Sequence, residues 1–395
     1  MMGAVQHTLP FVFWAASALV AYTYAGYPLL LALWARMVPR PVRRAAITPK
    51  VAVIVVAHNE EHRIAAKIET ILAQDYPAAA LRVLIASDGS TDGTLARIEP
   101  WRGDRVEAIG WPDRRGKAAC LNDAVAACHE EIVVFMDARQ RLHPGAVRAL
   151  VENFGDERVG AVSGELVFET EDATAFGEGV DAYWRYEKTI RLRECLVDST
   201  VGATGALYAI RRNLYRPIPG NTVLDDVLIP MNIVLQGYRV AFEPLAVAYD
   251  RPARDAAQER LRKVRTLAGN FQLFATRPAL LLPWRNRIAF QFWSHKVLRL
   301  ACPWAMAAAL TADAALAPRS TLYTAALAVQ LAFWGAALAG ALFPSARSLR
   351  PVRIAHAFLS LNWFAVLGLI EFLTNREAHL WRTRAAASDP GQPCA

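Results

Sequence analysis

Apolar residues follow two patterns along this chain. Long runs stand at the two ends. Leu9 to Ala35 contains no charged residue, and three more runs lie at residues 297–317, 322–343 and 354–373. Each is long enough to cross a hydrocarbon core of ~30 Å, and apolar residues cover all faces rather than one stripe. Between Pro49 and Pro283 the apolar runs are short and alternate with amphipathic stretches. Residues 51–56 form a β-branched run suited to a buried parallel strand. Asn59 then fits a helix cap, with Glu60 and Glu61 in the first turn and Ile64, Ile68, Ile71 and Leu72 on one face. Further strands are predicted at 83–86, 106–109 and 132–136, with helices at 94–99, 116–127 and 144–154.

This alternation predicts an α/β fold, a parallel sheet with helices on both faces. Residues 161–168 and 205–211 read as more polar strands around a long helix at 173–194. That helix mixes Tyr183, Trp184 and Tyr186 with Arg185, Lys188, Arg191 and Arg193. It suits an amphipathic core helix, a membrane interface or an acceptor groove. The expected organisation is an anchor and basic linker (1–48), a globular domain (49–283), C-terminal spans (284–375) and a tail (376–395).

Charge adds an orientation. Arg36, Arg40, Arg43, Arg44 and Lys50 follow the first run, Arg285 and Arg287 precede the second, and Arg347, Arg350 and Arg353 separate the third and fourth. Four crossings place all three groups on one side, which the positive-inside rule makes the cytoplasm. The N-terminus and the tail then fall outside, although Arg376, Arg382 and Arg384 favour the cytoplasmic side for the tail, which it would take if the second run were not a crossing, so the side of the tail stays open. The first run is too long for the apolar part of a cleaved leader and has no Lys or Arg before it, so it reads as a retained anchor. The net charge of +8 is largely juxtamembrane, suits anionic lipid headgroups and needs no nucleic-acid partner. The five cysteines show no CxxC spacing and read as free thiols.

The candidate chemistry lies where apolar runs end in carboxylates, at Asp88, Asp137 and the pair Asp225-Asp226. In open α/β sheets ligands bind at the carboxyl edge of the strands. Asp88 can accept hydrogen bonds from a nucleobase or a ribose, or simply shape its turn. Arg114-Arg115-Gly116-Lys117 opens a helix, where a diphosphate would be favoured. Lys117 and Asn122 belong to the run Gly-Lys-Ala-x-x-Leu-Asn. A carboxylate at Asp137 asks for a cation, which in a nucleotide-sugar site is a divalent metal on phosphate oxygens. Arg139, two residues on, could instead meet the diphosphate directly. Adjacent carboxylates raise one pKa, which suits Asp225-Asp226 to general-base work as well as to helix capping. Arg262 and Arg265 share a helical face, either closing over a diphosphate or lying on a membrane surface.

Taken in order, these residues resemble the membrane-bound, processive-type family 2 glycosyltransferases, relatives of cellulose, hyaluronan and poly-N-acetylglucosamine synthases. The resemblance covers residues 51–272 and rests on Val55–Glu61, Ser87–Thr94, Gly116–Asn122, Asp137 and Asp225-Asp226. It implies a GT-A nucleotide-sugar domain and inverting transfer from a UDP-sugar-like donor to a saccharide or polyprenyl-linked acceptor. The setting it implies is a bacterial plasma membrane, with secretion-complex proteins as possible partners. It implies Asp226 as the base, Asp88 at the nucleoside, Ala57 and Glu60 lining the nucleotide pocket, and Asp137 at the diphosphate or a Mg or Mn ion. Arg262 would match the arginine of the family's Gln-x-x-Arg-Trp motif. Two positions depart from the pattern. Arg139 replaces the second acid of Asp-x-Asp, which leaves metal dependence open. Lys263 replaces the tryptophan, which makes addition of one or a few sugars comparable with long-chain synthesis. The other class of reading is a non-catalytic nucleotide-sugar sensor or scaffold in a secretion complex.

Overall fold

The computed structural model describes residues 2–169, 175–251, 256–375, 377–378 and 380. Arg376, Arg382, Arg384 and Cys394 lie outside the described residues. The chain opens with helix α1 (Met2–Ala21), a π-turn and α2 (Tyr27–Met37). Strand β1 (Val51–Ala57) leads through α3 (Ile64–Leu72) to β2 (Leu81–Asp88), and α4 (Thr94–Ile98) leads to β3 (Val106–Trp111). Then come α5 (Lys117–Ala127), β4 (Ile132–Asp137), the short β5 (Arg141–Leu142), α6 (Ala146–Glu152), β6 (Val159–Phe168) and the long α7 (Ala175–Val197). Next are β7 (Leu207–Arg211), α8 (Asp225–Leu235), β8 (Arg239–Asp250) and α9 (Ala256–Thr276). The last helices are α10 (Ala289–Phe292), α11 (Leu298–Leu316), α12 (Thr321–Leu342) and α13 (Arg350–Thr374).

The strands form one sheet in the order β3-β2-β1-β4-β7-β6-β8-β5. The first four are parallel, as the alternation predicts. β7 runs antiparallel to both β4 and β6, so the whole sheet is mixed. Successive residues of β1 face opposite layers. Val51, Val53 and Val55 pack with Ile64, Ile68 and Ile71 of α3, while Ala52 and Ile54 pack with Leu121 and Ala124 of α5. The parallel register brings Ala57, Asp88 and Asp137 to one edge of the sheet.

Three expectations shift. Helix α3 begins at Ile64, and Asn59 is not its cap. Asn59 has φ 56° and its Oδ1 accepts from the Thr91 amide at 2.9 Å, tying the turn after β1 to the turn after β2. Helix α6 begins two residues after Pro144, whose carbonyl instead accepts from the Asp75 amide at 2.8 Å. Strand β8 is not evident in the sequence pattern, because Glu243-Pro244 breaks its apolar alternation. The break falls in the register shift between Ser163 and Glu165 of its partner β6.

Among the described residues four helical stretches are long and apolar enough to cross a membrane: Thr8–Met37, Ala289–Arg319, Thr321–Leu342 and Arg350–Thr374. Helix α7 joins the sheet domain to the first of these through an apolar cluster of Tyr27, Leu31, Ala35, Ile190 and Val197. Cys120, Cys128, Cys195 and Cys302 are buried free thiols, as expected.

Candidate active site

Three elements build the centre of the site. β4 ends at Asp137, α5 begins at Lys117, and α8 begins at Asp225. Lys117 Nζ lies 2.8 Å from Asp137 Oδ1 and 3.3 Å from Asp225 Oδ2. Burial disfavours the ammonium, but Asp137 and Asp225 outweigh it and raise its pKa above the ordinary lysine value. The second oxygen of Asp137 has no hydrogen-bond partner among the described residues.

The paired acids differ in surroundings. Asp225 is buried and accepts from the Tyr208 hydroxyl at 3.4 Å. Burial, then the charge of Asp225, hold that phenol well above its usual pKa, so it stays a donor. Asp226 is half-buried, and its carboxylate has no hydrogen-bond partner among the described residues. Burial, then the neighbouring Asp225, push its pKa up to about 6. Its backbone is held in an unusual way. Pro230, four residues on within α8, has no N–H to give the Asp226 carbonyl. The Ala203 amide donates to that carbonyl instead, at 2.8 Å. This bond brings the loop 202–205 against the acid, and Gly205 leaves only enough room for it. A Cβ on Gly205 would stand 3.2 Å from Asp226 Oδ2.

Asp88 fastens the turn beside the site. Its Oδ1 accepts from the Arg115 amide at 2.6 Å, and its Oδ2 from the Gly116 amide at 2.9 Å. Gly89 makes this approach possible, with φ +58°, since a Cβ there would lie 2.6 Å from the Arg114 nitrogen. Arg114 Nε is buried without a partner among the described residues, next to Asp88. Ala57 is buried at the end of β1, and Glu60 pairs with Arg63 at 3.0 Å near the same edge.

Other candidates are placed elsewhere. Asn122 spends its amide on the loop after β7: Nδ2 donates to the Ile218 carbonyl at 2.8 Å, and Oδ1 accepts from Tyr215 at 2.7 Å and from the Ile218 amide at 3.0 Å. Arg139 turns to Asp250 at the end of β8, at 2.8 Å. Arg262 pairs with Glu259 at 2.7 Å and stands over the Phe168 ring. Arg265, one turn further along α9, lies within electrostatic reach of Asp225, Asp137 and Asp226, and its Nε donates to the Ala378 carbonyl at 3.1 Å. Burial lowers its pKa, against the opposing charges of Asp225, Asp137 and Asp226. Arg265 and Arg262 share a helical face in the sequence, so spacing alone did not separate them. Lys67 is the other residue the sequence reading missed. It is buried, donates to the Gln140 carbonyl at 2.8 Å, and is pulled down to about 7 by burial against the opposing charges of Asp137 and Asp250.

Residues 52–218 match the family model described as glycosyl transferase family 2. That stretch, under half of the chain, is a family 2 glycosyltransferase-like domain. It is 22% identical over 201 residues to a poly-beta-1,6-N-acetyl-D-glucosamine synthase of Staphylococcus aureus (strain COL), covering 50% of this chain and 48% of that one. It is 23% identical over 237 residues to a probable glycosyltransferase, YdaM, of Bacillus subtilis (strain 168), covering 55% and 54%. The chain thus spans about half the length of the curated relatives it matches. Among solved structures it resembles a mannosyltransferase of Pyrobaculum calidifontis in complex with GDP-Man and Mn2+, with 28% identity and a TM-score of 0.69, over 92% of this chain and 99% of that one. This likeness extends beyond the family 2 domain to the flanking helices. The mixed sheet with its helices is the GT-A, Rossmann-like fold of the family.

The Mn2+ of that neighbour invites a test of the residues here. Among the described residues no three His, Cys, Asp or Glu side chains group as metal ligands. Asp137 offers one unengaged carboxylate oxygen at the sheet edge. A small hard cation bound by one carboxylate takes its remaining oxygens from substrate phosphates and water. Asp137 fits that kind of site, and Arg139, bound to Asp250, adds no oxygen to it.

Proposed function

We propose that the protein is an inverting glycosyltransferase that moves a sugar from a nucleotide-sugar donor to a saccharide or lipid-linked acceptor at a membrane, in cell-surface glycan or exopolysaccharide synthesis. The observation that carries this reading is the Lys117 ammonium held between Asp137 and Asp225, with Asp226 beside them unpaired and pushed up to about 6. A dense cluster of opposed charges at a sheet edge suits a substrate that brings a diphosphate and an acceptor that gives up a proton.

Asp88 and the turn it closes would hold the nucleoside, with Ala57 and Glu60 lining that pocket. Lys117, Arg114 and Arg265 would meet the diphosphate as charge builds on it. Asp137 would hold a divalent ion, whose chemistry when bound is to neutralise the leaving diphosphate. Asp226 would take the acceptor hydroxyl proton as the acceptor oxygen bonds to the anomeric carbon. The bond from that carbon to the diphosphate oxygen breaks on the opposite face, and its electron pair leaves with the nucleoside diphosphate. The basic residues beside the spanning helices support a cytoplasmic catalytic domain.

The test is donor turnover by membranes containing the protein, with a panel of UDP-, GDP- and dTDP-sugars in Mg2+, Mn2+ or EDTA. The expected outcome is turnover of one donor class, lost in EDTA and restored by Mn2+. Donor binding without turnover, whatever acceptor is offered, would replace this reading with the sensor.

A further inference from the structure

Helix α7 carries Glu187, Arg191 and Glu194 on one face, four and three residues apart. That face packs against the start of the second spanning stretch. His295 lies 3.1 Å from Glu187 Oε2 and 2.8 Å from Glu194 Oε1. Arg299 also pairs with Glu187, and the Tyr27 hydroxyl of the first stretch donates to Glu194 at 2.7 Å. Both carboxylates are therefore engaged.

Two cations on the same seam are not. Arg191 and Lys296 have no side-chain hydrogen bond or ion pair among the described residues, and both are half-buried. Counting Arg191, Lys296 and Arg299 against Glu187 and Glu194 alone, the contact between α7 and the second stretch carries one positive charge in excess with His295 neutral, and Asp226 is the next carboxylate in reach. Lys296 lies close enough to Asp226 and to Arg191 to act on both electrostatically. Arg191 also lines a cavity of about 340 Å3 whose wall combines Phe168, Trp184 and Phe242 with Glu187 and the Lys188–Glu165 ion pair. Half-buried cations that make no ion pair of their own favour an incoming anion. This pair sits where the apolar helices begin, so an anion carried on a lipid can reach it from the bilayer.

We propose that Arg191 and Lys296 form a subsite for the phosphate of a lipid-linked acceptor, with the aromatic cavity receiving the part of the acceptor next to that phosphate. An arginine fork and a lysine point charge are the usual recognition chemistry for phosphate. The subsite holds the acceptor and takes no part in bond making. It rests on the glycosyltransferase reading of Asp226.

The test measures binding rather than turnover, so a failure to find the donor leaves it interpretable. The full chain is placed in phosphatidylcholine nanodiscs containing a polyprenyl phosphate, the matching polyprenol, or phosphatidylglycerol, and inorganic phosphate is tested separately. The expected result is saturable binding of the polyprenyl phosphate, with polyprenol and phosphatidylglycerol at least about tenfold weaker. Arg191→Gln and Lys296→Gln should each weaken polyprenyl phosphate binding by about tenfold or more, with partial recovery in Arg191→Lys. Thermal unfolding near that of the wild type shows that the variants fold, and either variant alone suffices. Equal binding of polyprenol or phosphatidylglycerol, or unchanged affinity in a folded variant, overturns the proposal. Inorganic phosphate binding as tightly as the lipid would assign the site to free phosphate and overturn it as well.

Discussion

Lys117 Nζ stands 2.8 Å from Asp137 Oδ1, joining the first residue of α5 to the last of β4. The same ammonium reaches Asp225, so one cation neutralises acids from two elements. Lys117→Met removes it and leaves Asp137 and Asp225 facing each other in a largely buried place. Removing one partner from such a group costs about 3 kcal/mol. The variant should unfold at a lower temperature and lose about 100-fold or more in turnover, since a cation at the diphosphate is lost as well. Unchanged thermal unfolding would show that the cluster does not depend on this ammonium.

Arg262 and Arg265 lie three residues apart on one face of α9, and the structure gives them different partners. Arg262 is paired with Glu259 and rests over Phe168, whereas Arg265 donates to the Ala378 carbonyl and lies within electrostatic reach of Asp225, Asp137 and Asp226. Arg265→Ala should lower kcat/KM for the donor by about 100-fold, the loss expected for a charged donor at a phosphate. Arg262→Ala should stay within about threefold, as for a partly exposed pair within a helix. Steady-state kinetics on the two variants decides this, and the reverse order of effects would return the motif arginine to Arg262.

Much of this was legible in the sequence because the chemistry ends strands. A β-branched run closed by a carboxylate fixes both a buried strand and a residue at its edge, so β1, β2 and β4 and the places of Asp88 and Asp137 follow from local pattern. β8 was not legible, since its pairing with β6 passes through a register shift and its alternation breaks at Pro244. Asn59 has the composition of a cap, yet its conformation is set by a partner on another turn, Thr91. Asn122 belongs to a motif expected at the donor, but its hydrogen bonds run to Tyr215 and Ile218, 93 and 96 residues away. Such partners are tertiary facts that no window of sequence contains.

Arg139 lies 2.8 Å from Asp250, which also accepts from Gln140 at 3.1 Å and from the Arg251 amide at 2.9 Å. Its guanidinium therefore ties the end of β4 to the end of β8. Arg139→Ala should leave the donor KM within about threefold and cost about 1 kcal/mol or less, because the side chain is partly exposed and Asp250 keeps two other donors. A tenfold rise in donor KM would show that Arg139 turns to the diphosphate when the donor binds.

Asp226 carries the prediction that most directly tests the mechanism. A base must be deprotonated, and burial beside Asp225 pushes this one up to about 6. Turnover should be level above that pH and fall about tenfold per unit below it. The same shift has a consequence for folding. A carboxyl group with a raised pKa in the folded state is disfavoured there when charged. The penalty is fully present above about pH 6 and is relieved as pH falls from there toward the ordinary value of 3.8. Asp226→Asn should therefore lower kcat by about 1,000-fold while nucleotide binding survives. It should also raise stability at pH 8 by on the order of 1–3 kcal/mol, a gain that disappears near pH 4. Loss of activity together with a gain in thermal stability is the pattern of a catalytic base whose charge the fold disfavours. A variant that loses both would mark Asp226 as a structural residue and move the base to another group.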